Sequence, residues 1–309
     1  MRDEDKGWAT LFVDTPGGPI DVSELVTRTR KLEEVAALLA LDPDISGVQT
    51  FDAAQSETQR PRLCVFTSPR ALAAVRERAE GWLRAFDLAA ELRSELHDDE
   101  QWRDAWKRFY RPLVFGEHQL LLRPSWIDRS EGDPQLEIVL DPGSAFGTGL
   151  HQSTQLCLDQ LCTLARRGHA PTLALDLGCG SGVLGLAALR LFPALPELVA
   201  VDVDPEATAI ASENAELNHL ADKMKIVTGT IASLHDRFDL VTANIRPEVL
   251  VPLATTLRER VHPSTPVILS GILQEEEDRV RRAWLDAGWS PDPEPRRQRE
   301  TWCALHFVS

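Results

Sequence analysis

The stretch LALDLGCGSGVLGLAAL, residues 173–189, leaves this chain little choice of fold. A strand-like apolar run closes on Asp176. Three glycines follow at alternate positions, Gly178, Gly180 and Gly182, with a fourth at Gly185. Glycines allow positive φ and let a ligand approach the main chain closely. A strand that turns on glycines straight into an apolar helix predicts a sheet that binds its ligand at the carboxyl ends of the strands. The spacing fits two templates. Gly178-Gly180-Gly182 is G-x-G-x-G, and Gly180-Gly182-Gly185 is G-x-G-x-x-G, the dinucleotide fingerprint.

The surrounding pattern agrees. From residue 155 the chain reads as helix 155–167, strand 172–177, helix 182–191, strand 198–203, helix 205–218, strands 224–228 and 238–243, helix 247–260, strand 265–270, helix 274–288 and strand 301–308. Strands alternating with helices predict an α/β domain with a doubly wound, mostly parallel sheet. The last strand, TWCALHFV, follows a proline- and charge-rich stretch and reads as an antiparallel partner.

The first hundred residues differ. WATLFVD (8–14) alternates like a strand, and SELVTRTRKLEEVAALLAL (23–41) is an amphipathic helix with Ser23 as its cap. ISGVQTFD (45–52) and PRLCVFT (61–67) read as strands, 68–86 as a second helix and 89–96 as an edge strand. The order β-α-β-β-α-β predicts a small ferredoxin-like α+β domain over 1–97. The polar stretch HDDEQ (97–101) then leads into a linker and the larger domain, 98–309. A length of 309 residues suits two domains.

Composition narrows the partners. The net charge of -15 makes a poor general binder of phosphate backbones, so no direct nucleic-acid binding is expected. It suits a small cationic cofactor or a basic protein. No apolar run reaches the ~18–20 residues of a membrane span. The start, MRDEDKGWAT, has no apolar leader, and a cytoplasmic location is expected. The five cysteines form no C-x-x-C, which argues against a disulfide framework and a zinc ribbon. No metal-ligand spacing is present among histidines and carboxylates.

The strand after the glycine helix, LVAVDVDP, carries Asp202, 24 residues after Gly178. An acid there can accept both ribose hydroxyls, in NAD as well as in S-adenosyl-L-methionine. Three features favour the latter. Asp176, just before the glycines, would repel a pyrophosphate and attract a sulfonium or an α-amino group. The strand DLVTANI ends in Asn244-Ile245, a means of holding an amine in front of a methyl group. A second glycine loop upstream, GSAFGTG, has no place in a dehydrogenase of the usual plan. Asp176 also reads as a helix cap, Asn244 as a turn residue, and His151 as a structural or solvated loop histidine rather than a base.

LDPGSAFGTGLHQST, LDLGCGSGVLGLAAL, VAVDVDPEATAIASENAELN, DLVTANI and ILSGIL, in this order, resemble the PrmA family of ribosomal protein L-eleven (L11) methyltransferases. The likeness extends upstream through DEQWRDAWKRFYRPLVFGEHQLLLRPSW and covers about 98–309. It implies a seven-stranded class I, Rossmann-like methyltransferase domain behind a ferredoxin-like substrate-recognition domain. It implies transfer of methyl groups to lysine side chains and the N-terminal amine of one protein of the large ribosomal subunit, up to trimethylation. It also implies that Thr154, Gly178, Gly180, Asp202 and Asn244 line the S-adenosyl-L-methionine site, with Phe146, Gly147 and Thr148 in a loop over its methionine end. Two segments differ from the usual family pattern: Gln152-Ser153-Thr154 after the loop histidine, and Arg246-Pro247-Glu248 after Asn-Ile. The second suggests a methyltransferase of the same family acting on another basic protein. An NAD-dependent oxidoreductase is the remaining, more distant alternative.

Overall fold

The computed structural model describes residues 8–16, 22–39, 42, 44–51, 56, 60–97, 111–117, 119–140, 151–292, 297–299 and 301–309. The chain divides into two compact units, residues 1–110 and 111–309.

In the first unit, β1 (Trp8–Asp14), α1 (Val22–Leu39), β2 (Ile45–Phe51), β3 (Arg62–Thr67), α2 (Leu72–Ala85) and β4 (Glu91–His97) follow one another. The strands pair antiparallel in the order β2-β3-β1-β4, with β4 on an edge. Successive side chains on a strand point to opposite faces. Leu11, Val13, Leu63 and Val65 therefore share one face. There they meet Leu32, Val35 and Leu39 of α1 and Val75, Ala79 and Leu83 of α2. The α2 residues recur every four positions, the spacing of a helical stripe. Phe12, Cys64 and Phe51 cluster separately. Arg62 stands over the Phe12 ring and pairs with Asp14 at 2.6 Å.

The second unit opens with a small sheet, β5 (Leu113–Phe115), β6 (Leu120–Arg123) and β7 (Leu136–Val139), antiparallel and then parallel. The main sheet follows: α3 (Gln152–Arg166), β8 (Leu173–Leu177), α4 (Val183–Leu191), β9 (Glu197–Asp202), α5 (Pro205–Leu217), β10 (Met224–Thr228), β11 (Leu240–Asn244), α6 (Pro247–Arg258), β12 (Pro266–Leu273), α7 (Glu277–Asp286), β13 (Ser290–Pro291), β14 (Arg297–Arg299) and β15 (Trp302–Val308). Seven strands lie in the order β10-β9-β8-β11-β12-β15-β13, and β14 adds an eighth on β15. The first five are parallel, and β15 runs antiparallel to β12, as the terminal sequence suggests. This is a doubly wound, mostly parallel sheet.

Both faces of the main sheet are covered, which suits a parallel sheet rich in Val, Leu and Ile. Leu158, Leu161, Leu186 and Ala211 of α3, α4 and α5 fill one layer. Leu250, Leu257, Val280 and Trp284 of α6 and α7 fill the other. The connections from β8 and β11 leave in opposite directions, since β9 lies on one side of β8 and β11 on the other. A crevice opens at such a reversal, outside the carboxyl ends of the strands.

Candidate functional site

The glycine turn lies at that crevice, at the end of β8. Gly178, Gly180 and Gly182 all have positive φ, at 70°, 52° and 79°. The amides of Gly178 and Cys179 both donate to Val201 O of β9, at 2.8 and 3.1 Å. Asn214, buried on α5, donates its Nδ2 to Ser181 O at 2.9 Å. The turn is thus tied to β9 and α5, and at Gly182 the place of a Cβ is filled by Met224 and Ala211.

Asp202 closes β9 beside it. Its Oδ2 accepts the amide of Gly180 at 2.9 Å, and its Oδ1 accepts the amide of Asp204 at 3.1 Å. An ionised carboxylate offers about four lone-pair positions, so acceptor capacity remains. Asp204 caps α5 through the Glu206 amide at 2.9 Å, with Pro205 at the first helical position. Val203, between the two acids, is 70% exposed.

Asp176 sits behind the turn and is 1% exposed. Its Oδ1 accepts the Thr242 hydroxyl at 2.8 Å and its Oδ2 accepts the Gly185 amide at 2.9 Å. Burial pushes its carboxyl up to about 7, against the opposing pull of those two hydrogen bonds. Asp176 thus ties β8 to β11 and to α4, and its charge lies beneath the turn.

Asn244 ends β11, opposite Ser270 of β12. Its Nδ2 donates to Thr154 Oγ1 at 3.0 Å, across 90 residues of sequence. Its Oδ1 is buried and has no hydrogen-bond partner among the described residues. The next residue, Ile245, is wedged between two glycines. A Cβ on Gly178 would overlap Ile245 Cγ2, and one on Gly271, whose φ is 79°, would stand 2.7 Å from Ile245 O. Thr154 is on the first turn of α3. His151 caps that helix, its Nδ1 accepting from the Ser153 amide at 3.3 Å, and its ring meets Trp302 edge-on at 4.7 Å.

The family model of "Ribosomal protein L11 methyltransferase (PrmA)" matches residues 36–309. The chain belongs to this family. It is 33% identical over 309 residues to a ribosomal protein L11 methyltransferase of Geobacter metallireducens, covering 98% of both chains. It is 37% identical over 253 residues to one of Trichlorobacter lovleyi, covering 79% of this chain and 80% of that one. The crystal structure of a ribosomal protein L11 methylase from Lactobacillus delbrueckii subsp. bulgaricus is similar at 29% identity and a TM-score of 0.56, over 64% of this chain and 98% of that one. As a member of the PrmA family, the chain is a methyltransferase that uses S-adenosyl-L-methionine. The NAD-dependent alternative is set aside.

The residues at the crevice fit that cofactor. Gly180 brings main chain without a side chain beside Asp202, and Ile245 packs against Gly178. Asp202 has spare acceptor capacity beside Gly180, and the carboxyl of Asp176 lies beneath a turn where a pyrophosphate would be disfavoured. The structure bonds Gly180 to Asp202, Asp176 to Gly185 and Thr242, and Asn244 to Thr154, and packs Ile245, the neighbour of Asn244, against Gly178. Phe146, Gly147 and Thr148 lie outside the described residues. Sequence reasoning missed the seat of Ile245. Its signal was the glycine inside an otherwise apolar strand, Gly271, which marks a close backbone approach. It also missed Asn214, whose polar side chain on a buried helix face was available to be read.

The variant segment Arg246-Pro247-Glu248 begins α6. Arg246 is exposed, and its carbonyl accepts from Val249 and Leu250 at 3.0 and 3.1 Å. Pro247 takes the first helical position and Glu248 the first turn, both favourable there. All five cysteines are buried without disulfides. Burial raises the Cys179 thiol, so it is no nucleophile at neutral pH. No described helix is long and apolar enough to cross a membrane.

Proposed function

We propose that the chain transfers methyl groups to amine nitrogens of ribosomal protein L11, on lysine side chains and the N-terminus. In this reading residues 1–97 choose the substrate, residues 98–309 carry the chemistry, and the reaction takes place in the cytoplasm without direct contact to nucleic acid. The observation that carries it is the pairing of a glycine turn bonded to Asp202 with an Asn244 whose carbonyl oxygen awaits a donor.

When bound, S-adenosyl-L-methionine supplies a methyl group on a positively charged sulfur. The chain's residues do the rest. Asp202 receives the ribose hydroxyls, and the main chain at Gly178 and Gly180 lets the cofactor lie close. The negative charge of Asp176 favours a cation above the turn. Asn244 orients the acceptor nitrogen, and Thr154 holds Asn244. A protonated lysine has no lone pair, and its ordinary pKa is ~10.4. The site therefore takes the neutral amine, and its proton leaves to water. His151 is committed to capping α3, so no dedicated base is assigned. Alignment of nitrogen, methyl carbon and sulfur supplies most of the acceleration.

A second reading keeps the chemistry and changes the acceptor to another basic protein. It is favoured by Arg246, which stands exposed two residues past Asn244. The two readings separate when the protein and labelled cofactor are given all the free proteins of the large ribosomal subunit. Label on L11 alone supports the first. Label on another protein with L11 blank rejects it in favour of the second.

A further inference from the structure

The amide of Asn244 is held on one side only. Its Nδ2 is engaged by Thr154 Oγ1 at 3.0 Å, and its Oδ1 is buried without a partner among the described residues. A buried carbonyl oxygen left unpaired carries a desolvation cost, and such an atom points to a donor that arrives with a ligand. The backbone cannot turn to relieve it. Asn244 is fixed in the β11–β12 ladder, and Ile245 is locked between Gly178 and Gly271. What stays free is rotation of the side-chain amide, a broad and roughly two-fold torsion. Thr154 restrains that freedom by engaging Nδ2. It is itself fixed, 1% exposed on the first turn of a helix whose start is set by His151.

We propose that Thr154 is a positioning residue that selects the nucleophile: by holding Nδ2 it keeps Asn244 Oδ1 turned to an acceptor nitrogen that has an N–H to donate. This rests on the reading that the acceptor is an amine. A neutral primary amine has two N–H bonds and one lone pair. With one N–H on Oδ1, the direction of the lone pair is set. The nitrogen forms its new N–C bond as the donor's C–S bond breaks, and that electron pair stays on sulfur. The ammonium product must lose a proton to water before a next transfer. Each transfer exchanges one N–H for one N–CH3. A secondary amine still has an N–H for Oδ1, and a tertiary amine has none. The Thr154–Asn244 clamp therefore serves the first and second transfers and not the third.

The test compares Thr154→Val, which keeps the shape and loses the hydroxyl, with Thr154→Ser, which keeps it. Single-turnover rates are measured on L11 presenting lysine, monomethyllysine or dimethyllysine, beside cofactor affinity by calorimetry and the Asn244 side-chain amide resonance. Thr154→Val is expected to slow the first and second transfers about tenfold in kcat at similar KM, since one net hydrogen bond is worth roughly that much, and to slow the third far less. The amide resonance shifts, and Thr154→Ser restores the rates. Equal slowing of all three transfers overturns the proposal, as does no slowing. A drop in cofactor affinity with no dependence on methylation state also overturns it, by placing the partner of Oδ1 on the cofactor. If Thr154→Val does not fold, Asn244→Ala must show the same dependence on the transfer step. Absence of transfer by the unsubstituted protein to all three acceptors refutes the amine reading itself.

Discussion

Asp202 accepts the main-chain amide of Gly180 across 2.9 Å, so the acid at the end of β9 and the glycine turn after β8 are one unit. Asp202→Ala removes the proposed ribose acceptor and releases the turn together. Hydrogen bonds to a charged partner are each worth about 1.5–3 kcal/mol. The expected loss of cofactor affinity is thus about tenfold to a hundredfold or more, read by calorimetry, with a small change in melting temperature. Unchanged affinity would remove Asp202 from the site.

Gly178→Ala acts through geometry. The new methyl would overlap Ile245 Cγ2, and the position already has a φ of 70°. Strain at such a position costs on the order of 1–3 kcal/mol, and displacing Ile245 adds to it. Ile245 follows Asn244, so the damage spreads from the cofactor turn to the acceptor side. The expected result is a lower melting temperature and loss of both cofactor binding and turnover. A variant that melts and binds normally would show that Ile245 is not seated as described.

How much of this was legible in the sequence depended on separation along the chain. The β-α-β-β-α-β order of the first hundred residues and the alternation after residue 155 are local patterns, and the elements appear in that order, although α1 starts at Val22, with Ser23 inside it and not at its cap, and α3 starts at Gln152 rather than 155. The small sheet of β5, β6 and β7 was not legible, because strands of three or four residues give too short an alternation to read. The residue types at the site were legible from motif spacing. Their bonds were not: Thr154 meets Asn244 across 90 positions, and Thr242 meets Asp176 across 66. Asp176 is the clearest case. Its place before the glycines suggested contact with a ligand, whereas both its oxygens are engaged by Thr242 and Gly185.

The buried carboxyl of Asp176 makes stability depend on pH. It ionises near 3.8 in the unfolded chain and is pushed up to about 7 by burial in the fold. Between those values the folded state binds more protons, so this group's contribution to stability is present below about 4 and is lost as pH rises through about 7. Asp176→Asn should flatten that part of the profile, measured as denaturant midpoint against pH. An identical slope in both proteins would contradict the assignment.

The same group sets a pH dependence of binding. Asp176 gains its negative charge as pH rises through about 7, and a sulfonium is cationic where its demethylated product is not. The preference for S-adenosyl-L-methionine over S-adenosylhomocysteine should therefore grow across this range, and Asp176→Asn should abolish the growth. Calorimetry of both ligands at several pH values checks this. A ratio independent of pH would mean that the charge of Asp176 does not reach the sulfur.

The central claim is methyl transfer to amines of ribosomal protein L11, and the most direct measurement is the intact mass of purified L11 after incubation with the protein and S-adenosyl-L-methionine, followed by peptide mapping. The account predicts mass increments of whole methyl groups, mapped to lysine side chains or the N-terminus and absent with Asp202→Ala. An unmodified L11 under conditions where calorimetry shows the cofactor bound would contradict it.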